Sequence, residues 1–226
     1  MFKVSKNISM SKYNLEINLK NYSEELTRTL KKIDQLMINL LANKVLEAIV
    51  EGRKIILMGN GGSAANASHI AGDYIKTFSF LGYKPRISTP SDNTCFLTAV
   101  SNDSDFNESF FLYLRSVIEK NSIVIMLSGS GNSINLIKCF NNDLIKNIIG
   151  TESWSITGFK GGKISKLSDH WLHLPTMDME IAEDLQLIIF HCIKQDIFNL
   201  LSKKENGDEI INTNRYYKRT MLNEIS

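Results

Sequence analysis

The chain has 226 residues, 43% of them hydrophobic, with 22% charged residues and a net charge of +2. That is enough for one sizeable core, and the charge is far from the strongly basic balance of a nucleic-acid-binding protein. No apolar run approaches the roughly 20 residues that span a bilayer, and residues 1–25 contain no apolar h-region, so a cytoplasmic protein without membrane or nucleic-acid partners is expected. Residues 1–23 read as an N-terminal segment, 24–202 as one domain, and 203–226 as a polar tail, loosely ordered or dependent on a partner. From Glu24 to Gly52 there is no proline and no internal glycine, and Leu26, Leu30, Ile33, Met37, Leu40 and Leu41 recur at threes and fours. This predicts an amphipathic helix, continuing as a second helix through Val45, Leu46, Ile49 and Val50 to a stop at Gly52. The stripe is long enough to serve either the core or contact between subunits. Beyond it, "KIILM" (54–58), "PRIS" (85–88), "SIVIML" (122–127), "SWSIT" (153–157) and "HWLHL" (170–174) read as strands. Helical patterns fall between them at 63–78, 106–120, 133–147 and, briefly, 162–168, and a last helix runs from Met179 to about Leu201. Such alternation predicts an α/β fold with a parallel sheet covered on both faces. Cys95, Cys139 and Cys192 form no C-x-x-C pair and are expected as unpaired, buried thiols of a reducing compartment.

Ligands of parallel sheets bind at the carboxyl ends of the strands. Two strand ends here share one chemistry. "KIILM" runs into Gly59-Asn60-Gly61-Gly62-Ser63, and "SIVIML" into Ser128-Gly129-Ser130-Gly131-Asn132-Ser133. Each turn opens a predicted helix. Glycine lets backbone N–H groups approach an anion, the helix start favours negative charge, and serine hydroxyls donate without adding fixed charge. Two ordinary turns, each with a serine N-cap, would explain either segment alone; two together favour phosphate binding. The dinucleotide motif fails because its third glycine is Ala64, and no P-loop motif is present. A phosphorylated metabolite is therefore expected, and no nucleotide cofactor.

His69 and Asp73 lie four apart on the helix after the first turn and share a face. The last helix carries Glu180, Glu183, Asp184 and His191. His191 lies about 12 Å beyond Glu183 along the helix axis, so one helix cannot aim both at the same atom. If both serve one site, they come from different chains, or one stands behind the other. His170 and His173 fall on opposite faces of a strand and are assigned no role.

Together these residues resemble the sugar isomerase (SIS) domain and, within it, the phosphoheptose isomerases. The resemblance runs from about Glu24 to Leu200. It is carried by Gly59–Ser63, His69, Asn102-Asp103 in "AVSNDSDFNESF", "SGSGNSINLIK", Thr157-Gly158 and His191. It implies a five-stranded parallel sheet flanked by helices, flavodoxin-like, with an N-terminal helical extension, assembled as a homotetramer with sites between subunits. It implies ketose–aldose isomerisation of a sugar phosphate, with sedoheptulose 7-phosphate the leading substrate, for surface-polysaccharide heptose synthesis. Asp73 and His191 would be the acid and base, in either order. Asn60, Gly61, Gly62, Ser63, Asn102, Asp103, Ser128, Gly129, Ser130, Ser133 and Glu183 would bind substrate. His69, Asp73, Glu183 and His191 would hold a divalent metal of zinc type. The chain departs from the family pattern in Asp73 for glutamate, Glu183 for glutamine and Gly129 for threonine. The alternative is a catalytically silent SIS protein that binds a partner or senses a sugar phosphate.

Overall fold

The computed structural model describes residues 18–205; most of the expected N-terminal segment and of the polar tail lie outside the described residues. The chain forms α1 (Leu19–Leu30), α2 (Gln35–Glu51), β1 (Lys54–Met58), α3 (Gly62–Ser79), β2 (Arg86–Ser88), α4 (Thr94–Asp103), α5 (Ser109–Val117), β3 (Ile123–Ser128), α6 (Ile134–Lys138), β4 (Glu152–Thr157), α7 (Ile164–Leu167), β5 (His170–His173) and α8 (Met179–Glu205). The five strands pair in the order β2-β1-β3-β4-β5, all parallel. All five strands fall where the apolar runs predict them, within a residue or two. The order is the flavodoxin-like one, whose switch point lies between β1 and β3.

The continuous apolar strands follow from burial on both faces. Side chains alternate across a strand. Ile55 and Leu57 of β1, with Ile123, Ile125 and Leu127 of β3, point into a core shared with Leu41, Val45, Tyr74, Phe78, Leu185 and Phe190 of α2, α3 and α8. Ile56 and Met58, with Val124 and Met126, point the other way, onto Phe110, Leu114, Leu136, Cys139 and Ile164. In β4, Trp154 and Ile156 complete the first core, whereas Ser153, Ser155 and Thr157 are buried polar groups on the opposite face. Their hydroxyls are satisfied there: Ser153 donates to Asp169 Oδ2 (2.6 Å), and Thr157 Oγ1 accepts from Trp171 Nε1 (2.7 Å).

The structure departs from the expected helices in five places. The long N-terminal stripe is two helices, as expected, but they part at 31–34 rather than between Leu41 and Val45. Asp34 caps the second, accepting from the N–H groups of Leu36 (2.9 Å) and Met37 (3.3 Å), and Gly52 ends it at φ +67°. The first helix starts at Leu19 rather than near Glu24, and α8 continues to Glu205. The pattern at 133–147 yields only the short α6, because Asn142 and Asp143 take positive φ (55° and 50°) and stop propagation. Helix α4 has no fully buried residue, so only a weak apolar stripe announces it; Asn93 starts it by accepting from the Phe96 N–H (2.9 Å). The expectation of buried thiols holds only for Cys139; Cys95 and Cys192 are free but exposed, since each lies on the solvent side of its helix.

Candidate functional site

β1 and β3 are neighbours in the sheet, so the two glycine-serine turns that follow them lie side by side at its carboxyl edge. A reciprocal amide pair joins them. Asn60 Nδ2 donates to Asn135 Oδ1 (2.9 Å), and Asn135 Nδ2 donates to Asn60 Oδ1 (2.8 Å). Asn135 is buried on α6 and also accepts from the Leu136 N–H (3.0 Å). Gly61, at φ +56°, turns the first loop into α3.

The second loop is braced from within. Ser128 Oγ accepts from the buried Gly131 N–H (3.0 Å), and Ser130 Oγ accepts from the Asn132 N–H (3.3 Å). Gly131 has φ +67°, and a Cβ there would lie 1.9 Å from the Gly161 carbonyl oxygen, so only glycine fits. Ser133 opens α6 without capping it through its side chain. At Gly129 the Met179 sulfur would lie 2.1 Å from an added Cβ. The space a threonine would need at this position is taken by the first residue of α8.

Helices α3 and α8 carry the remaining chemistry, and polar contacts fix their register. Asn66 Nδ2 donates to the Glu183 carbonyl (2.8 Å) and to Gln186 Oε1 (3.2 Å); further along, the buried Tyr74 hydroxyl donates to the Phe190 carbonyl (2.6 Å). His69 and His191 meet edge to face, with Nε2 atoms 3.0 Å apart. One of these nitrogens must carry the proton and the other accept it. The Asp73 carboxylate completes the group: one donor atom from each of His69, Asp73 and His191 lies within 4.8 Å of the others. All three come from one chain, so this part of the site needs no second subunit.

Two lysines engage Asp73. Lys194, one turn after His191, bonds Oδ2, and Lys76 lies 3.5 Å from Oδ1. Burial alone would raise the Asp73 carboxyl, but the Lys194 hydrogen bond and charge, with the charge of Lys76, outweigh it and hold the group below its ordinary value. Burial first, then the charges of Lys194 and His69, push the His191 imidazole below its ordinary value, against a smaller pull from Asp73. At neutral pH this pairs an ionised Asp73 with a neutral His191.

Glu183 sits apart from this group. Its carboxylate lies over the start of α3, where it accepts the Ser63 N–H, and a Cβ on Gly62 would come within 2.1 Å of Oε2. Burial raises its carboxyl, against the pull of that N–H. The expected set of four metal donors is thus three together and one at the first glycine turn, as the helical rise between Glu183 and His191 requires. Asn102 and Asp103 are exposed at the end of α4, with Asn102 Nδ2 donating to Asp103 Oδ1 (2.7 Å). His170 stacks on Trp154 (4.3 Å between centroids), and His173 Nε2 bonds the Phe159 carbonyl (2.8 Å). Sequence reasoning missed Lys194 and Asn135. The signal for Lys194 was its position three after His191 on one helix; Asn135 carried none beyond its place in the second loop.

A doubly covered parallel sheet with two glycine-serine turns side by side at its switch point defines a flavodoxin-like α/β protein, and residues 21–142 match the family model of the SIS domain. The chain is 35% identical over 161 residues to phosphoheptose isomerase of Aneurinibacillus thermoaerophilus, covering 70% of this chain and 78% of that protein. It is 31% identical over 157 residues to phosphoheptose isomerase of Burkholderia pseudomallei (strain 1710b), covering 69% and 78%. The solved phosphoheptose isomerase from Neisseria gonorrhoeae shares its fold, with a TM-score of 0.70 at 24% identity over 79% of this chain and 96% of that one. Within the SIS domain class, the chain belongs to the phosphoheptose isomerase family.

Proposed function

We propose that this chain interconverts a ketose phosphate and an aldose phosphate, taking sedoheptulose 7-phosphate to a heptose 7-phosphate for surface-polysaccharide heptose synthesis. The observation that carries the reading is the meeting of His69, Asp73 and His191 on helices that frame the two glycine-serine turns, in a chain related to phosphoheptose isomerases. The serines of the second turn, Ser128, Ser130 and Ser133, would hold the phosphate, with the N–H groups of the turn and the start of α6 adding to them. Asn60, Gly61, Gly62 and Ser63 would face the sugar, and Asn102 and Asp103 its hydroxyls.

The reaction needs a base to lift a proton from the carbon beside the carbonyl and to return one to the neighbouring carbon. It also needs a positive or donating group against the oxygen that gains charge. His191, held neutral, is suited to take the carbon-bound proton at Nε2, the atom that faces His69. Asp73, ionised and bonded to Lys194, is the weaker base of the pair and orients the charges around it. Glu183, with its raised carboxyl over the first turn, is suited to bond the sugar there.

The donor types His69, Asp73 and His191 fit a divalent ion of zinc type, with a position left open for substrate. Such an ion, when bound, supplies Lewis acidity. The two roles compete at His191, because a nitrogen lone pair given to a metal cannot take a substrate proton. A homotetramer is part of the proposal, supported by large apolar side chains left uncovered on the N-terminal helices, Leu19 (74% exposed) and Leu36 (78%). A cytoplasmic location is consistent with the finding that no described helix is long and apolar enough to cross a membrane.

The test is incubation of the purified protein with C5 to C7 ketose phosphates, with and without zinc, following aldose formation through a coupled enzyme. Absence of aldose from every substrate would sink the reading. A silent sugar-phosphate binder is the second reading, favoured by the capture of both Asp73 oxygens by lysines. Retained binding without turnover would establish it.

A further inference from the structure

The Asp73 carboxylate is the negative member of the three-residue donor group, yet neither of its oxygens is free of a cation. Lys194 bonds Oδ2, and Lys76 approaches Oδ1. The two lysines differ in kind. Lys76 is 57% exposed and lies 3.5 Å from Oδ1, a surface pair of little weight. Lys194 is 15% exposed against an Asp73 side chain at 16%, so this pair is held mostly out of water. Its position is also fixed. The Tyr74 hydroxyl bonds the Phe190 carbonyl, which locks α3 against α8 beside Asp73 and just before His191 and Lys194. An ammonium is therefore held against the carboxylate that a divalent ion would need.

We propose that Lys194 is a built-in competitor of the metal, holding Asp73 as its own counter-ion so that a divalent ion gains the full His69–Asp73–His191 set only by displacing the ammonium. The proposal rests on the reading of this group as a metal-capable site. Its chemistry is simple. A carboxylate oxygen cannot be the close ligand of a dication while it holds an ammonium at bonding distance without bringing two like charges together in a poorly solvated place. The consequence is a site biased towards the metal-free state, which leaves the His191 lone pair available to take a proton.

The experiment is zinc titration of the chelator-treated, untagged full chain by calorimetry and by competition with a chromogenic chelator. It compares wild type with Lys194→Met, Lys194→Gln, His69→Ala and the double variant Asp73→Asn/Lys194→Met. Circular dichroism melts accompany each, and the two neutral variants at 194 guard against one that folds poorly. Zinc should bind Lys194→Met and Lys194→Gln about 10- to 100-fold more tightly than wild type, the range over which partners of metal ligands set affinity. The gain should vanish in the double variant, because it passes through Asp73. Zinc affinity that needs His69 but is unmoved by the substitutions at 194 overturns the competition while leaving the metal site in place. Zinc binding that ignores His69 overturns the proposal by removing the site itself. Because the titration reads no turnover, an inactive protein leaves each of these outcomes decidable.

Discussion

Ser130→Ala and Ser128→Ala, two residues apart at the end of β3 and in the turn that follows it, should fail in different ways. Ser130 Oγ accepts one long bond from the Asn132 N–H (3.3 Å), and its side chain is only part-buried, so its hydroxyl hydrogen is available to an anion. Removing it leaves an exposed N–H that water can satisfy, so folding stability should hardly change. A hydrogen bond to a charged phosphate contributes about 1.5 to 3 kcal/mol, so the dissociation constant for the sugar phosphate should rise about 10- to 140-fold. Ser128 is buried, and its Oγ accepts from the Gly131 N–H (3.0 Å), itself buried. Ser128→Ala leaves that donor without its acceptor, at about 1 to 3 kcal/mol of stability in addition to any loss of binding. At about 2 to 4 °C per kcal/mol for a chain of this size, its Tm should fall by about 2 °C or more. The assays are calorimetric titration with sedoheptulose 7-phosphate and a thermal melt without ligand. A dissociation constant in Ser130→Ala within about twofold of wild type refutes the phosphate loop, because no other role for that hydroxyl would then be needed.

Gly131→Ala should be among the most damaging single-atom additions in the chain. The left-handed backbone costs a non-glycine residue about 1 to 2 kcal/mol, and displacing the Gly161 carbonyl strains the bonds by which Lys163 and Ile164 N–H donate to the Gly131 oxygen (2.9 and 3.1 Å). Urea denaturation should show a loss of about 3 kcal/mol or more; a loss under about 1 kcal/mol would mean that the loop is not held as described. The acid limb of kcat/KM should lie below 6.5, because His191 is pushed below that value in the free protein and must be neutral to act, and Lys194→Met should move the limb upwards. Stability should follow the same direction. The unfolded chain binds protons at His191 below 6.5 and at Asp73 near 3.8 before the folded chain does, so stability falls as pH drops through each window. A pH-rate profile and melts across pH 3 to 8 check both; an acid limb above 6.5 contradicts the neutral-base assignment. Light scattering should give the mass of four chains at micromolar concentration, and Leu36→Asp should reduce it.

The central strands β1, β3 and β4 were legible because each is buried on both sides. A run such as "IVIML" has no amphipathic reading, and its length is that of a strand. The glycine-serine turns were legible because their chemistry is written in consecutive residues. The place of the break between α1 and α2 was not, since Asp34 opens α2 by a local N-capping bond in the middle of an otherwise unbroken apolar period. Helix α4 was not, since a helix that fully buries no side chain leaves only a weak stripe. The departure at Gly129 could be read as a missing threonine, but its reason lies at Met179, fifty residues away, and appears only once α8 is packed over the loop.

Asp73 is where local and distant information part most clearly. From the sequence, its spacing from His69 puts both on one helix face, and its shorter side chain raises the question of how a carboxylate set back by one methylene still reaches the site. The fold answers by packing α8 so that Lys194 meets the carboxylate, while His191 meets His69 one turn earlier. A carboxylate so bound is held in its ionised form and keeps one fixed position, which suits an orienting charge better than a proton shuttle. In the proposed reaction the burden of proton transfer would then fall on His191, and the environment of that ring agrees: burial, Lys194 and His69 all favour its neutral form. Asp73 and Lys194 therefore act as one pair. Neither has a physical meaning alone, because an unpaired carboxylate in that half-buried place would be a stronger base, and an unpaired ammonium there would have no reason to be drawn in from water.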